Sequence, residues 1–174
     1  MDERIMVFID GSNLYMGARR ALPGAAIDFI KLRKWLARGR KVIRSYYYGS
    51  YNPEDDVVRS RQERFFETLE RVGFTVAVTA LRNRNGKFVE KGADVALAID
   101  MVSHGLRNTY DVAILVSGDD DFLKAVEEMK RAGKIVEIAS FGEDIGRRLR
   151  NSADVFLDMS GAVPELVREP SRKT

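Results

Sequence analysis

Three consecutive aspartates, Asp119, Asp120 and Asp121, directly follow the apolar residues 112–116. Neighbouring carboxylates repel each other and raise each other's pKa unless positive charge neutralises them. One account of the run is structural, because aspartate is a good helix cap and negative charge is favoured at the start of a helix. The other account is a divalent-metal site, since Mg²⁺ and Mn²⁺ prefer oxygen ligands. The run alone leaves both accounts open.

Two more aspartates stand at similar places in the chain. Asp10 ends the apolar run of residues 5–9, and Asp94 opens a segment of helical periodicity over residues 93–103. Each also has a structural explanation, Asp10 as a turn residue before a glycine and Asp94 as an acid in the first turn of a helix. If these acids converge with Asp119 and Asp121, they form a hard, oxygen-rich site suited to Mg²⁺ or Mn²⁺.

Composition excludes several other kinds of chemistry. The chain of 174 residues fits one domain, and it contains no cysteine. Disulfides, thiolate nucleophiles, iron–sulfur clusters and cysteine-ligated zinc are therefore excluded. The single histidine, His104, is insufficient for a histidine-ligated metal cluster, and we expect it to serve as a cation near the end of a helix. Carboxylates, hydroxyls and basic groups remain for chemistry.

The charge distribution favours an anionic partner. The net charge is only +3, but the sequence pI is about 9.2 and the basic residues cluster. One cluster contains Arg33, Lys34, Arg38, Arg40, Lys41 and Arg44, and a second contains Arg82, Arg84, Lys87 and Lys91. Such clusters suit nucleic acid, although each is also explained as a solvated surface. No apolar run approaches the roughly 20 residues of a membrane span, and we expect a cytoplasmic protein.

The order of apolar runs and helical patterns predicts an α/β fold. Strands are expected at residues 5–9, 42–48, 74–78, 112–116 and 135–139, with a short sixth at 155–157. Helices are expected between them, together with a hairpin over residues 81–89 that turns at Asn85 and Gly86. This alternation predicts a parallel sheet with helices on both faces, in which ligands bind beyond the carboxyl ends of the strands where the strand order reverses. The predicted domain covers residues 1–160, followed by a C-terminal tail of residues 161–174.

Four motifs in this order resemble those of the NYN domain, the LabA-like group of the PIN-like nuclease superfamily. They are FIDGSNLY at residues 8–15, KGADVALAIDM at 91–101, SGDDDF at 117–122 and LRNSADVFL at 149–157. The resemblance spans residues 4–158. Each motif alone is weak, but their occurrence together and in order is specific.

The resemblance implies a three-layer PIN-like (Rossmannoid) fold whose central parallel sheet has the order 3-2-1-4-5, which places the first and fourth strands side by side. It also implies a metal-dependent ribonuclease site. By position, Asp10, Asp94, Asp119 and Asp121 would be the catalytic acids that bind Mg²⁺ or Mn²⁺, with Asn13 and Ser117 as polar neighbours. Asp120 falls on a variable position and is expected to be a solvated acid. Asp100, which lies about 240° round the helix from Asp94, is expected to pair with an arginine.

The leading functional hypothesis is hydrolysis of RNA phosphodiester bonds. Arg84, Lys87 and Lys91 are candidate contacts to the RNA backbone, and Tyr15, Tyr47 and Tyr51 would either stack on bases or pack within the protein. A rival hypothesis is a non-catalytic PIN-like module that binds RNA or a protein. A phosphohydrolase with Asp10 as nucleophile is disfavoured, because Ser12 stands where such enzymes carry a second acid. An apolar face at Phe65 and Phe66 belongs either to the core or to a homodimer contact.

Overall fold

The computed structural model describes residues 3–89 and 91–168, apart from the side chain of Lys87. The strands are β1 Ile5–Asp10, β2 Val42–Tyr51, β3 Thr75–Ala80, β4 Arg82–Arg84, β5 Lys87–Val89, β6 Val112–Val116, β7 Ile135–Ser140 and β8 Val155–Asp158. The helices are α1 Gly11–Ala21, α2 Phe29–Ala37, α3 Asp56–Arg71, α4 Ala93–Leu106, α5 Leu123–Arg131, α6 Arg147–Ser152 and α7 Val163–Leu166. Short 3₁₀ turns cover Asp120–Phe122 and Met159–Ala162.

Six strands form one parallel sheet in the order β3-β2-β1-β6-β7-β8. The hairpin strands β4 and β5 pair only with each other, and the turn between them is at Asn85 and Gly86 as predicted. Without the hairpin, the order is 3-2-1-4-5 with the short sixth strand added at the edge. The predicted fold is therefore confirmed, and the strand order reverses between β1 and β6.

Both faces of the sheet are covered by helices. Every residue of β1 and β6 is buried, as expected for central strands of a parallel sheet. On one face Val7 and Ile9 pack with α1, α2, α3 and α7, and on the other Phe8 and Leu115 pack with α4, α5 and α6. Consecutive residues of a strand thus enter two separate cores, which explains why these strands are apolar without alternation.

Aromatic residues of α3 belong mainly to the first of these cores. Phe65 lies edge-on to Phe29 and Tyr47, with its ring centroid 5.6 Å from each of theirs, and Phe66 packs against the same cluster. Tyr47 is only 8 % exposed. Phe66 therefore belongs to this core, whereas Phe65 packs against the cluster and is still 37 % exposed, so the homodimer contact stays a prediction. Tyr47 is unavailable for stacking on a base.

Residues beyond 160, predicted as a tail, continue to pack against the domain as far as Arg168. Leu166 in α7 is fully buried. The Leu166 carbonyl accepts a hydrogen bond from the Asp28 amide at 2.8 Å, and the Arg168 amide donates to the Ala26 carbonyl at 2.9 Å. Residues 169–174 lie outside the described part of the chain. Within the described ranges, no helix has the length and apolarity to cross a membrane.

The polar groups under α4 have partners that the sequence did not indicate. His104 lies in the last turn of α4, as predicted, within 3.0 Å of the Tyr46 hydroxyl and 3.2 Å of the Thr109 hydroxyl. Asp100 accepts a hydrogen bond from the Tyr48 hydroxyl at 2.8 Å. Its expected arginine partner was therefore wrong, because the facing strand β2 presents a tyrosine at this place. Burial, together with the bond to Asp100, raises the pKa of Tyr48 far above its usual value.

A buried carboxylate holds two members of the first basic cluster. Glu137 in β7 is 3 % exposed and accepts hydrogen bonds from Arg38 at 2.6 Å and from Arg40 at 2.7 and 2.8 Å. The bonds to Glu137 raise the pKa of Arg40, so the guanidinium stays charged. Arg38 and Arg40 therefore have a structural role, and the first basic cluster is not explained as a solvated surface throughout.

We expect Glu137→Gln to lower the free energy of unfolding by about 3 kcal/mol, because it leaves two arginines without their buried counter-charge. Urea denaturation followed by circular dichroism measures the change. Glu3→Gln is the matched control, since Glu3 is half exposed and lies 3.4 Å from Arg40; it should cost less than about 1 kcal/mol. Equal losses in the two variants would contradict the structural role of Glu137.

A second ion pair fixes the start of β1. Asp111 accepts hydrogen bonds from the Arg4 side chain at 2.7 and 3.0 Å and from the Arg4 amide at 2.9 Å. These bonds hold the pKa of the Asp111 carboxyl well below its usual range. The unfolded chain therefore takes up this proton at a higher pH than the folded chain does.

The stabilisation from Asp111 should be complete above about pH 5 and should decrease as the pH falls below the ordinary aspartate pKa of about 3.9. Asp111→Asn should accordingly be less stable than wild type at pH 7, and the difference should shrink at pH 3. Urea titrations of both proteins at several pH values test this. A difference that is constant across the range would show that the charge on Asp111 is not responsible.

Candidate active site

The residues that follow β1 and β6 meet at the carboxyl edge of the sheet. The two strands pair in parallel, with Ile9 opposite Val116. Asp10 ends β1 and caps α1, while Ser117 is the first residue after β6. Adjacent parallel strands end at the same edge, which is where α/β sheets bind ligands when the strand order reverses. The predicted convergence of these two segments is thus present.

A short chain of hydrogen bonds joins the two segments. Asp10 is 7 % exposed, and its carboxylate accepts from the Ser117 hydroxyl at 2.8 Å and from the Asn13 amide at 3.1 Å. The Asn13 side-chain oxygen accepts from the Gly118 amide at 2.9 Å. The Ser117 hydroxyl in turn accepts from the Asp119 amide at 3.2 Å. Ser117 therefore orients the Asp10 carboxylate and the Asp119 backbone, and Asn13 orients the backbone at Gly118.

Close backbone approach explains the glycine in the middle of this turn. A Cβ at Gly118 would overlap the carbonyl oxygen of Asp144 and lie 2.9 Å from the Ser140 hydroxyl. The Gly146 amide also donates to the Gly118 carbonyl at 2.9 Å. The loop after β7 is thereby pressed against the turn after β6, and α6 begins just beyond it at residue 147.

Asp119 and Asp121 are exposed at the end of this turn. Asp119 caps the 3₁₀ turn, and one of its oxygens accepts from the Asp121 amide at 3.0 Å. The structural account of the aspartate run thus holds for Asp119. An ionised carboxylate can accept about four hydrogen bonds, and capping occupies one of them. The remaining lone pairs of Asp119 can therefore coordinate a cation.

Asp120 is an exposed acid in the first turn, as predicted, and it also has a structural partner. Its side chain is exposed, but one oxygen accepts from the Leu149 amide in the first turn of α6 at 3.0 Å. The same carboxylate lies against Gly146, where any Cβ would collide with it. Asp120 therefore caps α6 from a distant part of the chain.

We expect Asp120→Ala to lower the free energy of unfolding by about 1 kcal/mol, as for other lost helix caps. Asp120→Asn keeps an acceptor oxygen and should retain most of that stability. Chemical denaturation of both variants beside wild type provides the measurement. If the alanine and asparagine variants are equally stable, the bond to Leu149 contributes nothing.

Asp94 lies in the first turn of α4 and is exposed. Because α4 leads from β3 toward the parallel strand β6, its N-terminus is at the same side of the sheet as Asp10 and Asp119. Within residues 3–89 and 91–168, however, no three Asp, Glu or His side chains are close enough together to hold a metal ion. The structure links Asp10 to Asp119 through Ser117, and it does not assemble all four predicted acids into one cluster.

The donor set present is nevertheless chemically suited to Mg²⁺ or Mn²⁺. Asp10, Asp119, Asn13 and Ser117 offer only hard oxygen donors around the end of β1. Mg²⁺ usually keeps several waters and binds through one or two carboxylates instead of a cage made entirely of protein groups. A pair of carboxylates at this edge satisfies that requirement.

The predicted substrate contacts that the structure describes are accessible to solvent. Arg84 in the hairpin and Lys91 before α4 are exposed, whereas the side chain of Lys87 lies outside the described part of the structure. Tyr15 on α1 is 60 % exposed with the Arg19 guanidinium 5.8 Å from its ring centre. Tyr15 thus meets the exposure that base stacking requires.

Sequence reasoning missed Asp144, in the loop after β7. Its side chain is 12 % exposed and pairs with Arg20 of α1 at 2.5 Å. Its backbone touches the turn at Gly118. Asp144 could have been found from its position in the sequence, because it follows β7, the neighbour of β6. The loop after β7 therefore reaches the same carboxyl edge of the sheet as Asp119.

Comparisons with known proteins agree with this architecture. A model of the NYN domain family matches residues 4–160. The low amplitude and bright protein LabA of Synechococcus elongatus is 28 % identical over 166 residues, which cover 90 % of this chain and 84 % of that protein. The crystal structure of a Vibrio parahaemolyticus protein of unknown function superposes with a TM-score of 0.76 at 23 % identity, covering 96 % of this chain and 97 % of that one. The structural likeness bears on the fold alone, and the family match, which spans most of the sequence, shows that the chain belongs to the NYN domain family.

Proposed function

We propose that the protein is a Mg²⁺- or Mn²⁺-dependent ribonuclease that hydrolyses RNA phosphodiester bonds. The observation that carries the proposal is the bonded series from Asp10 through Ser117 to Asp119 at the reversal of strand order. It brings carboxylates from two distant segments to the edge where α/β sheets bind ligands. Membership of the NYN family, a PIN-like nuclease group, supports the same activity.

In this proposal Asp10 and Asp119 hold the metal, and Asp94 and Asp121 supply further carboxylates from the same edge. The metal, when bound, lowers the pKa of a water molecule and offsets charge on the phosphate. Ser117 keeps the Asp10 carboxylate oriented, and Asn13 holds the Gly118 amide and hence the turn that carries Asp119. No side-chain nucleophile is required, which agrees with a chain that has no cysteine and one histidine.

The proposed substrate contacts lie on the hairpin and the following segment. Arg84, Lys87 and Lys91 would bind phosphate oxygens of RNA, which position a strand without reading its sequence. The hairpin is separate from the main sheet. Its basic residues therefore extend the binding surface beyond the acidic edge.

Asp10→Asn and Asp119→Asn should each reduce RNA cleavage by at least about 100-fold, because each removes a charged ligand from the proposed site. The measurement is cleavage of a labelled single-stranded RNA in Mg²⁺ or Mn²⁺, with folding checked by circular dichroism. Asp120→Asn is the matched control, since it alters the adjacent acid but keeps the helix cap; it should cleave as wild type does. Folded Asp10→Asn or Asp119→Asn protein that cleaves at the wild-type rate would overturn the assignment.

One observation favours a second function, a non-catalytic module that binds RNA or a protein. The described residues contain no preformed group of three metal-binding side chains. Such a module would bind RNA equally well in EDTA and in Mg²⁺, and it would cleave under no metal. Cleavage that EDTA abolishes and Mg²⁺ or Mn²⁺ restores would exclude it.

A further inference from the structure

A basic cleft lies at the amino end of β2, away from the acidic edge. It has a volume of about 400 Å³ and is bounded by α2, the start of β2 and Gly73 in the turn before β3. Ser45 in its wall is level with Val7 of β1, three residues before Asp10. At about 3.3 Å per residue this separates Ser45 from the candidate active site by about 10 Å along the strands. The cleft is therefore a separate feature of the molecule.

Four basic residues line the cleft: Arg33, Lys34, Arg40 and Arg44. The Arg44 side chain points to the opposite face of the sheet from Ser45 and α2, because Arg44 pairs with Met6 of one core and Ser45 with Val7 of the other. No carboxylate is among its lining residues. Arg40 is neutralised by Glu137, whereas in the described part of the chain Arg33, Lys34 and Arg44 form no ion pair. The cleft thus concentrates positive charge that the protein does not balance locally.

Arg33 is already held in position at this cleft. Its guanidinium donates one hydrogen bond to the Val72 carbonyl at 2.9 Å and lies 5.3 Å from the centre of the Phe74 ring. A guanidinium has five N–H donors in a planar fork that matches phosphate oxygens. The carbonyl and the ring therefore fix the orientation of a group that keeps donors for a ligand.

Ser45 supplies an independent indication of a ligand. It is 1 % exposed and lines the cleft, and its hydroxyl has no hydrogen-bond partner in the structure. Buried polar groups are nearly always paired, so an orphaned hydroxyl requires an explanation. A hydroxyl can donate to an anion oxygen, which is the acceptor that the surrounding cations would attract.

We propose that this cleft binds a phosphate group, carried by a nucleotide or by RNA. Arg33 and Lys34 neutralise the phosphate, and the Ser45 hydroxyl donates to one of its oxygens. Apolar side chains, including Ile30 and Val42, line the remaining wall and contact the attached sugar or base. The proposal is independent of cleavage, because the cleft lies away from the acidic edge.

Titration of the isotope-labelled protein in EDTA at constant ionic strength tests the cleft by NMR. The probes are inorganic phosphate, a nucleoside 5′-monophosphate and a short single-stranded RNA. We expect the Arg44, Ser45 and Gly73 amide signals to shift with at least one probe. Binding of phosphate or mononucleotide identifies a free nucleotide as the source, and binding of RNA alone identifies its backbone. The absence of shifts with all three probes overturns the proposal.

Three variants separate a phosphate site from general charge attraction. Ser45→Ala, Lys34→Gln and Arg33→Gln should each weaken binding at least five-fold. Lys41→Gln is the matched control, because Lys41 is exposed on the same segment but does not line the cleft; its affinity should stay within two-fold of wild type. Equal effects of Lys41→Gln and Lys34→Gln, or wild-type affinity in Ser45→Ala, would refute the site.

The Asp119→Asn protein distinguishes this proposal from the proposed ribonuclease activity. It should bind the probe in the cleft with wild-type affinity even though its cleavage is expected to be lost. Retained shifts at Arg44 and Ser45 in this variant support an independent site. Loss of those shifts in folded Asp119→Asn protein would show that the binding depends on the acidic edge and would contradict the cleft.

Discussion

The parallel pairing of β1 with β6 is the constraint on which the rest of the structure depends. It joins segments about 100 residues apart in sequence and creates the only reversal of strand order in the main sheet as described. Because both strands are buried on both faces, their polar residues are confined to the carboxyl ends. Asp10 and Ser117 occupy those ends, and their hydrogen bond satisfies two buried polar groups at once.

The sheet has opposite electrostatic character at its two ends. Aspartates collect at the carboxyl edge, where they also cap helices, while arginines and a lysine surround the amino end of β2. Glu137 shows that the amino end is not simply a solvated basic surface, since it buries a carboxylate between Arg38 and Arg40. The separation places any cation site and any anion site of this molecule on different parts of one sheet.

The three consecutive aspartates illustrate how far sequence spacing can lead. Capping is a local interaction, so the presence of caps in this run was predictable from residue types alone. The bond from Asp120 to Leu149 was not, because it depends on the loop after β7 reaching the turn at Gly118. For the same reason Asp144 escaped notice, and the predicted arginine partner of Asp100 proved to be Tyr48.

By itself the sequence determined the element types, the parallel three-layer fold and the segments that carry the acids. These follow from apolar periodicity, turn residues and the family motifs, which are local in the chain. The tertiary structure decided which oxygen meets which donor: Asp10 with Ser117, Asp120 with α6, and the burial of Ser45 without a partner. Such pairings depend on loop paths and on the faces that packed helices present, and side-chain spacing along a chain does not encode those distances.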